Sequence, residues 1–156
     1  MKYTKHTIML VIAVLIAVIL PISAFASAET LPAAYAGNVD YLIDIRNPES
    51  VISSTTGKSC TLSAVAVPGT VVTLYSFNES TNTYEKLYSD GKALETTVGA
   101  SGFYAQSISL KNGLNTILVV ASTNKDTVET TRLEITLLKT NVSENVKSLW
   151  QSLMGY

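Results

Sequence analysis

The side chains through which this chain could bind or react are twelve carboxylates, eight tyrosines, one cysteine and one histidine. The histidine is His6, inside an apolar N-terminal stretch, so everything after residue 28 lacks an imidazole. Ser-His and Cys-His nucleophile pairs, histidine-ligated zinc and histidine acid–base catalysis all need that ring near neutrality, and none is expected. Cys60 has no second thiol with which to close a disulfide or build a thiolate cluster. Its apolar alternation predicts a small, inert, buried side chain. A glycosidase would need two carboxylates facing each other across roughly 5–10 Å. Asp40, Asp44, Glu79, Glu85, Asp90, Glu95, Asp126, Glu129, Glu134 and Glu144 are instead spread over predicted loops and strand faces, where solvation is their expected role. Asp40 with Asp44, and Asp126 with Glu129, are too sparse for a calcium loop. A non-enzyme without metal or cofactor is the expectation.

Two features point to binding instead. Tyr75, Tyr84, Tyr88 and Tyr104 fall on predicted strands that could adjoin, and aromatic faces shared across a sheet would make a carbohydrate-binding surface. The same four rings also suit a half-buried sheet, packed on one side and wet at the hydroxyl. The second feature is residues 141–154, where the apolar period changes from 2 to 3.6. Asn141 can cap with Glu144, and Val142, Val146, Leu149, Trp150 and Leu153 recur at helical spacing opposite Lys147, Ser148 and Gln151. So short a helix is marginal in water unless its apolar face is covered. The cover is either the protein's own core or a partner, with Val146, Leu149, Trp150 and Leu153 as the anchors that would seat in a partner groove or on a second copy.

The elements that must position these groups follow from the rest of the pattern. Met1 to Ala28 has a basic start at Lys2 and Lys5, an uncharged run from Thr7, a breaker at Pro21, and small residues Ala24, Ala26, Ser27 and Ala28. This is the three-part form of a secretory signal, with cleavage after Ala26 or Ala28. Retained, the same run would anchor the chain in a membrane of ~30 Å, and in either case the basic start places the domain outside. Without this segment the chain carries a net charge of −3, which argues against nucleic acid. Ser and Thr fill a quarter of the positions after residue 28, and this favours a β-rich extracellular domain.

Residues 29–39 hold Pro32, Gly37 and several alanines without a period, and read as a linker. From 40 to 139, β-type runs recur at 41–45, 59–66, 70–77, 83–88, 94–98, 103–110, 115–121 and 127–138, broken by Pro68-Gly69, Asp90-Gly91 and Asn112-Gly113. Seven or eight strands at that rhythm predict an antiparallel sandwich. Ile117, Val119 and Ala121, and then Leu133, Ile135 and Leu137, are predicted core stripes. Val72 with Leu74, Leu62 with Ala64, and Phe103 are expected in the opposing layer, with a bulge before Ile108 and Leu110. Residues 140–156 hold the predicted helix.

PGTVVTLYSF at 68–77 and GASGFYAQSISLKNGLNTILVVA at 99–121 resemble the central strands of bacterial immunoglobulin-like domains in secreted and surface proteins of Gram-positive organisms. The likeness spans about 47–138. It implies an immunoglobulin-like sandwich acting as a spacer, adhesion or assembly module, with no catalytic residues to carry over. The expected function is a secreted, non-catalytic module that binds another envelope or extracellular protein, or itself. Carbohydrate binding through the tyrosines is the alternative.

Overall fold

Runs rich in Val, Ile, Thr and Tyr form strands here because branched and aromatic side chains pack well on a pleated surface. The computed structural model describes residues 27–124, 126–139 and 151–154. Its strands are β1 (Thr30–Pro32), β2 (Ile43–Asn47), β3 (Ile52–Thr55), β4 (Ser59–Ala66), β5 (Val71–Asn78), β6 (Thr83–Lys86), β7 (Tyr88–Ser89), β8 (Lys92–Ala93), β9 (Glu95–Thr97), β10 (Phe103–Ser109), β11 (Gly113–Asn124) and β12 (Thr127–Leu137). The larger sheet runs β1-β6-β5-β11-β12-β3, with β9 also on β5; the smaller runs β10-β4-β2, and β7 pairs with β8. β3 lies parallel to β12, whereas β11 lies antiparallel to both β5 and β12. The result is an all-β sandwich. Its β2-β4-β10 and β5-β11-β12 groups correspond to the A-B-E and C-F-G groups of an immunoglobulin-type fold. Residues 151–154 are helical.

Between the sheets, Leu62, Ala64 and Ile108 meet Val72, Leu74, Ile117, Val119, Ala121, Leu133 and Ile135. The two predicted stripes of β11 and β12 are therefore core. The opposing layer differs from expectation in two places. Val72 and Leu74 pair with Ala121 and Val119 inside the same sheet, so they extend the β11 layer and do not face it. Phe103 points outward, and Tyr104, Ile108 and Leu110 point inward. β10 keeps an unbroken register on β4 from Phe103↔Val65 to Ser109↔Ser59, so no bulge is needed. The face of β10 that meets the core is the one holding Tyr104 and Ile108, so Phe103 falls on the opposite parity with Ala105 and Ser107.

Residues 29–39, expected as a linker, are built into the fold. β1 pairs with β6 through Leu31↔Tyr84. Leu31 joins Tyr75, Tyr84, Leu118 and Val120 in a second apolar cluster on the outer face of the larger sheet, against which Tyr35, Phe77 and Val128 pack. β5 and β11 are thus covered on both faces, which is why they read as nearly continuous apolar runs. Gly37 crosses β12 so closely that a Cβ there would lie 2.5 Å from the Val128 carbonyl oxygen. Asn38 and Val39 both donate their amides to that oxygen. Farther along, Glu129 is buried, and its Oε2 accepts the amides of Leu42 and Ile43 at 2.6 and 3.1 Å, which fixes the chain as it enters β2.

Candidate interaction surface

β10 is an edge strand whose outer side pairs with no other strand among the described residues. In immunoglobulin-type sandwiches a D strand can occupy that place, but here β9 pairs with β5 instead. The direction of the free groups follows from the ladder. The Gly102 carbonyl accepts the Ala66 amide at 2.8 Å, and the Leu110 amide donates to the Lys58 carbonyl at 2.9 Å. Antiparallel bonding alternates along a strand, so even-numbered residues bond to β4, and Phe103, Ala105, Ser107 and Ser109 turn their amides and carbonyls outward. Two of these groups have local side-chain partners. The Phe103 amide donates to Ser101 Oγ at 3.4 Å, and the Ser107 carbonyl accepts from Gln106 Nε2 at 3.1 Å.

The other edges are blunted. β1 has three residues and ends in Pro32, and β3 has four. β2 has a register shift between Ile45 and Asn47, and it carries an exposed Asp44–Arg46 ion pair at 2.5 Å. β10 has seven residues, no charge and no proline. Natural sheets usually protect such an edge with lysine, proline, a bulge or a covering segment. An apolar patch adjoins it. Phe103, 75% exposed, stands opposite Val65, and Val65 stands opposite Asp44 on β2. Tyr41 and Val67 continue the exposed apolar surface, and with Val51 and Val65 they line an open groove of about 670 Å³.

The four tyrosines expected at a sugar-binding surface do not share an exposed face: the structure brings Tyr75 and Tyr84 together, but buried, and places Tyr104 and Tyr88 elsewhere. Tyr75 and Tyr84 are buried in the outer apolar cluster; Tyr75 donates its hydroxyl to the Ala28 carbonyl at 2.9 Å, and Tyr84 packs on Phe77 with ring centroids 5.1 Å apart. Tyr104 lies in the central core, where its hydroxyl finds no partner among the described residues and burial pushes its phenol far above the ordinary range. Tyr88 is exposed and donates to Glu29 Oε2 at 2.6 Å. That bond holds the Glu29 carboxyl below its ordinary range, with Lys86 adding to the effect, and raises the Tyr88 phenol. Of the predicted helix anchors, Val146, Leu149 and Trp150 lie outside the described residues. Leu153 is 79% exposed.

The carboxylates expected to be solvated include two with structural roles. Glu129 is the buried acceptor described above. Glu95 sits beside Lys86, whose side chain is 4% exposed and also meets Glu29. Cys60, the second residue of β4, is half-buried against the core, and burial raises its thiol. Among the described residues, no group of three or more His, Cys, Asp or Glu could hold a metal ion, and no helix is long and apolar enough to cross a membrane. The sequence carries one half of the signal for this edge, seven uncharged residues at 103–109; that the strand-like run at 94–98 pairs with β5 and leaves β10 open is a matter of topology that no local pattern carries.

No family model and no curated protein matches this chain. Among solved structures it is similar to an FMN-binding beta-glucuronidase from Facaelibacterium prausnitzii L2-6, at 19% identity and a TM-score of 0.38. The match covers 66% of this chain and spans 13% of that one.

Proposed function

We propose that this protein is an exported, non-catalytic immunoglobulin-like module that associates with another protein chain by strand addition at β10. The observation that carries the reading is the long, regular, uncharged edge of β10 beside Phe103 and Val65. Main-chain hydrogen bonds along an added strand supply affinity, and the exposed apolar row supplies a place for side chains to anchor. A second copy is the donor that fits this edge best. Two β10 strands placed antiparallel bring no like charges together, and Ala105, Ser107 and Ser109 are small enough to lie opposite a neighbouring strand. Such pairing joins two three-stranded sheets about a two-fold axis. The buried tyrosines give no comparable support to sugar binding.

The test is photocrosslinking in exporting cells with Phe103 replaced by benzoylphenylalanine, and Leu114 replaced as a control on the other sheet. A product of twice the processed mass from position 103 supports the reading. Another discrete protein adduct there keeps strand addition and replaces the donor. Adducts to polysaccharide, or none, reject it.

A further inference from the structure

The N-terminal edge of the described fold contains a charge cluster that does not balance. Lys86 Nζ lies 3.2 Å from Glu29 Oε1 and 3.7 Å from Glu95 Oε2, so one cation faces two carboxylates among the described residues. Ser27 is in the middle of it. Its Oγ donates to Glu95, its carbonyl accepts from Lys86 Nζ at 2.6 Å, and the single Thr73 hydroxyl hydrogen is shared between Ser27 Oγ and Glu95 Oε2, each 3.3 Å from Thr73 Oγ1. The neighbouring Ala28 carbonyl takes the hydroxyl of buried Tyr75.

We infer that the mature chain begins at Ser27 and that its new α-ammonium completes this cluster as the second cation. The inference rests on the export reading, under which the leader is removed. Of the two peptide bonds that suit an export peptidase, the one after Ala28 would remove Ser27 and Ala28. That would strip Lys86 Nζ of its shortest acceptor and leave the buried Tyr75 hydroxyl without its carbonyl, and buried donors left without acceptors are costly. Hydrolysis after Ala26 keeps both contacts. Water adds across the Ala26–Ser27 amide, the departing segment carries away the carboxylate, and the Ser27 nitrogen becomes an amine that takes up a proton. That positive charge arises on the residue already bonded to Glu95, where two carboxylates then meet two cations. The charged and titratable groups around it are Glu95 on β9, Lys86 on β6, Glu29, Tyr75 on β5, Tyr88 and Tyr35.

Intact-mass measurement of the exported protein tests the start directly. A mass beginning at Ser27 is expected; one beginning at Glu29 overturns the inference while leaving export intact, and one retaining Met1 overturns both. The charge is tested on the same exported protein with Glu95→Gln, by melting at about pH 6.5 and about pH 9.5, on either side of the ordinary α-amino pKa of ~8. The melting temperature should fall more at the lower pH, where the amine is charged. An equal fall at both would show that Glu95 holds Ser27 by its hydroxyl and not by its ammonium.

Discussion

Phe103 on β10 stands directly opposite Val65 on β4, and both side chains face outward from the smaller sheet. Neither residue has a core to fill, so their placement costs apolar exposure without helping the fold. Phe103→Ser is therefore expected to leave the unfolding free energy within about 0.5 kcal/mol of the parent's, as exposed substitutions do. Association, followed by sedimentation, should weaken at least about tenfold, the scale of losing an interface anchor. A variant that associates normally would place the contact elsewhere.

Gly37 tests whether the N-terminal segment belongs to the fold. A methyl group there would meet backbone on three sides, with the Val128 oxygen, Glu129 Cα and Thr130 nitrogen at 2.5, 2.7 and 2.8 Å. Gly37→Ala should cost about 1–3 kcal/mol in urea unfolding, the range for overpacking. No change in midpoint would mean that the segment lies loosely on β12.

How much of this was legible in the sequence depends on element length. β4 was predicted at the bounds the structure gives it, and the core stripes of β11 and β12 were predicted residue by residue, because strands of eight or more residues put three or more apolar side chains on one face, even where β11 is apolar on both. β1, with three residues, is too short to show any period, so Leu31 looked like one apolar residue in a linker. β3 escaped for a related reason. Its Ser and Thr alternate with nothing apolar after Ile52, and its partner β12 is parallel and far away in sequence. The burial of Tyr75 and Tyr84 was not legible because pattern assigns a side chain to a face, while the docked N-terminal segment decides that this face is covered.

Tyr104 gives a prediction of opposite sign to most core changes. Its hydroxyl is buried without a partner among the described residues. Tyr104→Phe removes that group and keeps the ring, and should stabilise the fold by about 1 kcal/mol. Its phenol is raised by burial, so the folded state favours the protonated form. That contribution is fully present below the unfolded pKa of about 10 and is lost as pH rises beyond it. Parent protein should lose stability above about pH 10 more steeply than Tyr104→Phe in alkaline unfolding curves. Coincident curves would show that the hydroxyl is solvated or bonded.

Glu129 anchors the chain where it passes from the N-terminal segment into β2. Glu129→Ala leaves the buried amides of Leu42 and Ile43 without their acceptor, and is expected to cost about 3 kcal/mol. Hydrogen exchange should speed up at those two amides first. Unchanged protection there would contradict the assignment.

The central claim is that the open edge of β10 accepts a strand, and Ala105→Pro tests it most directly. The Ala105 amide faces away from β4, so proline removes no existing ladder bond, while its ring blocks an incoming strand and it offers no donor. In a sedimentation-equilibrium concentration series, the mature parent should rise from one chain mass to two, and the variant, with a near-parental melting temperature, should stay at one. A parent that remains at one chain mass throughout, or a variant that dimerises as the parent does, would contradict it.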